Sequence, residues 1–158
     1  MPELPSRRPL LLSLLLLSAA WPAPVAAQSD SRDSANALHR EKRYQEAEAM
    51  FTRLIEKDPD NPDLYSGRAS SRIMLKDLPG AAADYDEIVR RSPQDAQRRS
   101  ARANFRLHHL KDFTGAVKDY SKAISLTPRA PSYHASRARA LLKAGYALEA
   151  LADLDLHL

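Results

Sequence analysis

The amino-acid sequence predicts an all-α fold, a solenoid of about four helical hairpins stacked one after another. Alanines recur at steps of 34, 35 and 34 residues, at Ala47, Ala81, Ala116 and Ala150. Prolines keep the same steps of 34 and 35 residues, at Pro59, Pro93 and Pro128. A large apolar or aromatic side chain also stands four residues after each of these alanines. Self-similarity at such a period is typical of stacked helical units that share one continuous core.

The first 27 residues have the layout of a signal peptide. Arg7 and Arg8 precede an apolar run over residues 10–21, and small residues lead to Ala27. The run is about 12 residues long, shorter than the roughly 18–20 that a membrane-spanning helix needs. We therefore predict cleavage between Ala27 and Gln28, no stable membrane span and export of residues 28–158. The destination would be the periplasm of a Gram-negative bacterium, or else the exterior or the ER lumen.

The export route stays open at the level of sequence. The pair Arg7 and Arg8 resembles a twin-arginine signal, whereas the leucine-rich run that follows suits the general secretory route. Either route predicts the same exported domain.

Composition excludes several kinds of chemistry. The chain has no cysteine, so disulfides, thiolate metal sites, cysteine nucleophiles and bacterial lipid attachment are all excluded. It also has no glycine-rich phosphate loop, zinc-protease helix motif or serine elbow, and we predict that it is not an enzyme. The net charge is +4, and the predicted cleavage lowers it by one. Such a small excess gives only a mild preference for an anionic partner.

Each unit contains apolar residues at helical spacing. Ala47, Phe51, Leu54 and Ile55 lie at i, i+4, i+7 and i+8, which is one stripe of an amphipathic helix. The recurring prolines then end the second helix of each unit, because the residue before a proline avoids the helical conformation.

Helix starts are also visible. Asn61 followed by Pro62 predicts an N-cap with proline at the first helical position, and Asp77 with Pro79 predicts another. The predicted units are 28–61, 62–95, 96–130 and 131–158, the last of them incomplete.

The third unit is one residue longer than the second. Arg68, Arg102 and Arg137 recur at steps of 34 and 35, whereas the alanine at 116 is already one residue late. The extra residue must therefore lie between Arg102 and Ala116. We expect it in a turn at His108 and His109, since turns absorb insertions more easily than packed helices do.

The second half of each unit resembles the signature of the tetratricopeptide repeat (TPR) family. The matching residues are Tyr44, Ala47, Phe51 and Pro59, then Leu78, Ala81, Tyr85 and Pro93, then Phe113, Ala116, Tyr120 and Pro128. The first half matches less well, because Arg72 and Arg106 stand where an aromatic residue or leucine is usual. The resemblance implies a right-handed superhelical solenoid whose concave groove holds another protein or peptide.

The resemblance also indicates which residues line that groove, mainly on the first helix of each unit. These positions are Arg32, Asn36, His39, Arg40, Ser70, Ile73, Met74, Asn104, Leu107, His108, Arg139, Leu142 and Lys143. The set is polar and mildly basic, so an acidic polypeptide is the expected partner. Some TPR grooves bind a terminal carboxylate with a clamp of basic and asparagine side chains, but here only Arg32 and Asn36 match it.

Arginines are concentrated between residues 90 and 106. Like charges at i, i+4 repel each other unless they are neutralised, so structural ion pairing is expected. Three arginines repeat in register with three aspartates, which predicts one pair in each of three hairpins: Arg68 with Asp84, Arg102 with Asp119, and Arg137 with Asp153. Such pairing and export both argue against nucleic acid as a partner. The five histidines lack the spacing of metal ligands, and no cofactor is expected.

An alternative function is self-assembly through the last unit. Leu151, Leu154 and Leu156 lie near an end that no further repeat is predicted to cover. Terminal repeats need a polar outer face for solubility, so these leucines predict a homo-oligomer.

Overall fold

Residues 30–155, the part of the chain that the computed structural model describes, contain eight α-helices, one π-helical turn and no strand. The helices are α1 (Arg32–Arg40), α2 (Tyr44–Lys57), α3 (Pro62–Met74), α4 (Leu78–Arg91), α5 (Ala96–Phe105), α6 (Phe113–Leu126), α7 (Pro131–Ala144) and α8 (Ala147–Asp155). The π-helical turn is Arg106–Leu110. The predicted leader 1–27 and Leu156 lie outside the described residues.

Consecutive helices pack on each other along the whole described chain. The pairs α1 with α2, α3 with α4, α5 with α6 and α7 with α8 form four hairpins. The second helix of each hairpin also packs on the first helix of the next. This nearest-neighbour packing confirms the predicted all-α solenoid of four hairpins.

Small residues let the helices of each hairpin approach closely. The recurring alanines of the second helices, Ala47, Ala81, Ala116 and Ala150, are completely buried. The corresponding alanines of the first helices, Ala35, Ala69, Ala103 and Ala138, are at most 1% exposed. A larger side chain at any of these positions would separate two helices, which explains the alanine period seen in the sequence.

Large side chains fill the space between neighbouring hairpins. Phe51 and Tyr120 are both buried, and Phe51 is only 1% exposed. The ring of Phe51 lies directly against Gly67 of α3, where an added Cβ would be 2.2 Å from the ring atom Cζ. Gly67 is therefore needed for this close approach between hairpins one and two.

Side-chain caps start the helices as predicted. Asn61 accepts a hydrogen bond from the Asp63 N–H, and Asp77 accepts one from the Gly80 N–H. Asp95 and Asp112 cap α5 and α6 in the same way. The helices α2, α4 and α6 end two residues before the recurring prolines, which confirms the predicted stops.

A second contact recurs just after each of these stops. The side chain six residues after the proline donates a hydrogen bond to the proline carbonyl oxygen. The donors are Tyr65 to Pro59 at 2.9 Å, Arg99 to Pro93 at 3.3 Å and His134 to Pro128 at 3.0 Å. The proline carbonyl is equivalent in the three units, but its donor is a different residue type in each. The sequence therefore shows no repeat at the donor position.

The extra residue of the third unit lies where it was expected, but not in a turn. It is absorbed by the π-helical turn Arg106–Leu110, in which the Lys111 N–H donates to the Arg106 carbonyl five residues earlier. A π-helical turn accommodates one inserted residue while the helix on each side keeps its register. The prediction of a turn at His108 and His109 was therefore wrong, and the helix continues through both.

The first helix of each hairpin is followed by a residue in the left-handed backbone region. These residues are Lys42, Lys76, Lys111 and Gly145, with φ values of 62°, 63°, 56° and 89°. Only glycine adopts this region without steric cost.

Replacement of Gly145 by alanine is expected to lower the free energy of unfolding by about 1 kcal/mol. An added Cβ at Gly145 meets no atom within 4 Å, so the effect isolates the backbone strain. Urea unfolding followed by circular dichroism measures it. The matched variant Lys76→Gly should be neutral or slightly stabilising, and equal losses in both variants would contradict the explanation.

Candidate partner-binding groove

Three buried arginine–aspartate pairs hold the two helices of hairpins two, three and four together. Arg68 Nη2 lies 2.6 Å from Asp84, and Arg102 Nη2 lies 2.6 Å from Asp119. Arg137 binds Asp153 through both Nε and Nη2. The three aspartates are at most 3% exposed. The predicted set of pairs is confirmed.

A second arginine joins two of these pairs. Arg72 Nη1 lies 2.9 Å from Asp84, and Arg106 Nη1 lies 3.0 Å from Asp119. These are the two arginines that replace an aromatic residue or leucine of the TPR signature. Their position in a buried ion-pair network explains that departure, because each neutralises a carboxylate on the neighbouring helix.

The arginines between residues 98 and 106 are all engaged in ion pairs. Arg98 binds Asp63 at 2.8 Å and Asp95 at 3.1 Å, and Arg102 also binds the exposed Asp86 at 2.8 Å. Structural pairing is therefore the role of this basic stretch, as its spacing predicted.

The Arg137–Asp153 pair in hairpin four should make the stability of the protein depend on pH in the acidic range. Burial alone would raise the pKa of Asp153, but hydrogen bonds and charge from Arg137, with a smaller effect of His134, lower it below its ordinary value of 3.8. A carboxylate with a lowered pKa in the folded state stabilises the protein above the unfolded pKa and loses that contribution as the pH falls through the folded pKa.

We therefore expect the free energy of unfolding to fall below about pH 4, where unfolded aspartates become protonated. Urea unfolding at pH 7 and pH 3 tests this, with Asp153→Asn as the comparison. The variant should be less stable than the unchanged protein at pH 7, and the difference should shrink at pH 3. A difference that stays constant would contradict the linkage.

The predicted groove residues of hairpin one are mostly exposed. Arg32 forms an ion pair with Asp63 at 3.2 Å, and Asn36 and Arg40 are exposed. His39 is only partly exposed. Its Nδ1 lies 3.1 Å from Ser71 Oγ, and its ring meets the Tyr44 ring edge-on.

The middle of the predicted groove combines free and engaged side chains. Ser70 Oγ donates to the Ser66 carbonyl of its own helix, and Ile73 packs against the core beside Ala69. Met74 is 51% exposed. Asn104 accepts a 2.7 Å hydrogen bond from the buried Tyr120 hydroxyl, so it also supports the core.

Four of the predicted groove residues meet in one cavity between hairpins three and four. Leu107 and His108 come from the π-helical turn, and Arg139 and Lys143 come from α7. The cavity has a volume of about 230 Å³ and is completed by Lys111 and Phe113. Leu107 is also part of the core, at 4% exposure.

Three features around this cavity differ from the sequence-based expectation. Lys111 and Phe113 lie outside the first helices, so a search of first-helix positions missed them. Leu142 is 55% exposed but does not line the cavity. A neighbouring cavity of about 340 Å³ includes Asn104 and His108.

Residues 30–155 contain neither a metal-binding cluster nor a membrane-spanning helix. No group of three or more histidine, aspartate or glutamate side chains there could hold a metal ion. No helix of this region is long and apolar enough to cross a membrane.

Part of the chain matches a known family. Residues 32–96 match the family described as tetratricopeptide repeat. A solved structure described as the first TPR of Spaghetti (RPAP3) bound to HSP90 peptide SRMEEVD superposes with a TM-score of 0.62. It is 25% identical, over 72% of this chain and 89% of that one. The fold is a TPR solenoid.

Two further proteins are similar to this chain in fold or in part of the sequence. MamA from Desulfovibrio magneticus RS-1, from residue 41 onward, has a TM-score of 0.66 and 16% identity, over 78% of this chain and 69% of that one. This likeness concerns the fold alone. U-box domain-containing protein 70 of Oryza sativa subsp. japonica is 36% identical over 67 residues. That match spans 42% of this chain and 8% of the rice protein.

Proposed function

We propose that this TPR domain is a non-catalytic scaffold that binds an acidic polypeptide in the groove formed by its first helices. The observation that supports it best is the convergence of Leu107, His108, Arg139 and Lys143 on one cavity. Four of the thirteen predicted groove residues thus line one cavity. The RPAP3 TPR, which superposes on this chain, is described as bound to a peptide that contains two glutamates and an aspartate.

The charges available to a partner favour acidic ligands. Arg40, Arg139 and Lys143 are exposed, and none of them forms an ion pair with a carboxylate among the described residues. Arg32 and Arg98, in contrast, are engaged by Asp63. Among the predicted groove residues, the cations that a ligand could recruit without breaking an internal contact are therefore Arg40 near one end of the groove and Arg139 and Lys143 near the other.

Capture of partners from the protein's own compartment tests the proposal. The protein starting at Gln28 is compared with a variant in which Arg40, Met74, Arg139 and Lys143 are alanine, since all four are exposed and their side chains form no hydrogen bond or ion pair within residues 30–155. We expect the partners to be lost. A control with Lys118→Ala and Lys122→Ala removes exposed charge from α6, outside the cavity. Equal capture by all three proteins would show that the groove is not the binding surface.

The proposed place of action is outside the cytoplasm, on the strength of the leader-like residues 1–27. N-terminal sequencing of the protein from a cell fraction should begin at Gln28. Replacing Arg7 and Arg8 by lysine separates the routes, since twin-arginine export should stop and general secretion should continue. A cytoplasmic protein that still begins with Met1 would overturn export.

A second candidate function, self-assembly, is supported by the exposed apolar side chains on α8 and just before it. Tyr146, Leu148, Leu151 and Leu154 are 48%, 81%, 55% and 45% exposed. Exposed apolar side chains that cluster on one helix are typical of association surfaces. Light scattering of residues 28–158 tests this candidate. We expect a mass that rises with concentration and reverts to the monomer in Leu148→Glu, whereas a concentration-independent monomer would exclude self-assembly.

A further inference from the structure

The cavity between hairpins three and four has apolar walls and a charged rim. Leu107 is buried and Phe113 partly buried, and most of the lining atoms are apolar. At about 30 Å³ per water molecule, 230 Å³ is the space of about eight waters. This is enough for one leucine-sized or phenylalanine-sized side chain, but not for a folded element.

The rim has three cations and no carboxylate that neutralises them. Lys111, Arg139 and Lys143 line the cavity, and none of them lies within 4.0 Å of an acidic side chain in the described part of the chain. Lys111 Nζ donates one hydrogen bond, to the His108 carbonyl, and retains two further N–H donors.

The nearest acidic residue in the sequence does not neutralise this rim. Asp112 caps α6, where its Oδ1 accepts a 2.9 Å hydrogen bond from the Gly115 N–H. Its other oxygen is 3.9 Å from Arg106 Nε, on the side of the ion-pair network. The positive charge at the cavity is therefore left for an external ligand.

The π-helical turn distinguishes the cavity-lining segment of hairpin three from the equivalent segment of hairpin two. Lys76, in the left-handed region, lies four positions after Arg72, whereas Lys111 lies five positions after Arg106. The inserted residue lies among the residues that form the cavity wall, Leu107, His108 and Lys111. Such single-residue π-helical insertions are frequent at functional sites.

We propose that this cavity anchors one apolar side chain of the bound polypeptide, while Lys111, Arg139 and Lys143 hold acidic residues that flank it. The inference rests on the proposed groove function and names the ligand: an extended segment with a leucine-like residue between glutamates or aspartates. The apolar walls favour the uncharged side chain by removing its surface from water. The rim selects its neighbours by charge complementarity.

Binding of a designed probe to the 158-residue protein tests the assignment. The probe is a fluorescein-labelled heptapeptide with a central leucine and three glutamates on each side, followed by fluorescence anisotropy. A second probe has alanine at the centre, and a third has glutamine in place of every glutamate. Unlabelled single-stranded DNA of equal charge is the competitor that distinguishes a peptide site from a general anion surface.

The protein variants separate the rim from overall charge. Arg139→Glu combined with Lys143→Glu should weaken binding of the first probe by about 10-fold to 100-fold, since two attractive pairs become repulsive. Lys118→Glu combined with Lys122→Glu makes the same change in net charge on α6 and should alter binding less than about twofold. The alanine probe should bind about tenfold more weakly, because the anchor loses three carbon atoms. Circular dichroism checks that both variants remain folded.

Several results would overturn the assignment. These are failure of the unchanged protein to bind the first probe, equal weakening by the two double variants, equal binding of the leucine and alanine probes, or equal competition by the DNA. If the quadruple alanine variant still loses the partners that the unchanged protein captures, the groove function stands while the cavity assignment falls. If neither probe binding nor partner capture depends on these residues, the proposed function itself is overturned.

Discussion

Replacement of Asp119 by alanine is expected to lower the free energy of unfolding by about 3–5 kcal/mol. The carboxylate is 3% exposed and accepts hydrogen bonds from Arg102 at 2.8 and 2.6 Å. Arg106 lies 3.0 Å from it and Arg99 lies 3.7 Å away. Removing the anion leaves these guanidinium groups without their shared partner, and that cost exceeds the net value of the pair.

Urea unfolding of Asp119→Ala, Asp86→Ala and Arg102→Gln measures this difference. Asp86 also binds Arg102, at 2.8 Å, but its side chain is 61% exposed. Its loss should therefore cost less than about 1 kcal/mol. The combination of Asp119→Ala with Arg102→Gln should cost less than the sum of its parts, because the two residues share one interaction. A loss below 1 kcal/mol for Asp119→Ala would contradict a structural role of the pair.

Replacement of Phe51 by alanine is expected to cost about 3–5 kcal/mol, because a fully buried ring is removed from the contact between hairpins one and two. Gly67→Ala tests the same contact from the opposite side. An added Cβ would be 2.2 Å from the Phe51 ring, and such overpacking should cost about 1–3 kcal/mol.

The effect of Gly67→Ala on the free energy of unfolding should reverse its sign when Phe51 is also replaced by alanine. Alanine has a helix propensity better than that of glycine by about 1 kcal/mol, so Gly67→Ala should stabilise the protein once the ring is absent. Thermal and urea unfolding of both single variants and of the double variant provide the measurement. If Gly67→Ala has the same effect with and without the Phe51 ring, the clash is not the reason for glycine at this position.

Most of the architecture could be predicted from the sequence because its causes recur in every unit. The alanines at helix contacts, the capping residues such as Asn61 and Asp77, and the terminating prolines each depend on local geometry. The arginine–aspartate pairs were also predictable, since they keep a fixed separation within each hairpin. Periodic features of this kind require no knowledge of distant contacts.

The cavity could be predicted only in part, because its residues do not share one phase. Arg139 and Lys143 lie on the first helix of their unit, where the family resemblance places the groove. Lys111 follows the π-helical turn and Phe113 is the first residue of α6, so neither belongs to a first helix. The repeat period locates the inserted residue, but it does not indicate that this residue changes the type of helix.

The single inserted residue also means that hairpin three is not interchangeable with the other hairpins. Recombination or design that swaps units of 34 residues would preserve the alanine contacts and the ion pairs of hairpin three. It would still remove the residue that widens Arg106–Leu110, and with it the lining of the cavity at Leu107, His108 and Lys111. A consensus version of this array would therefore keep the fold and lose the ligand site that we propose.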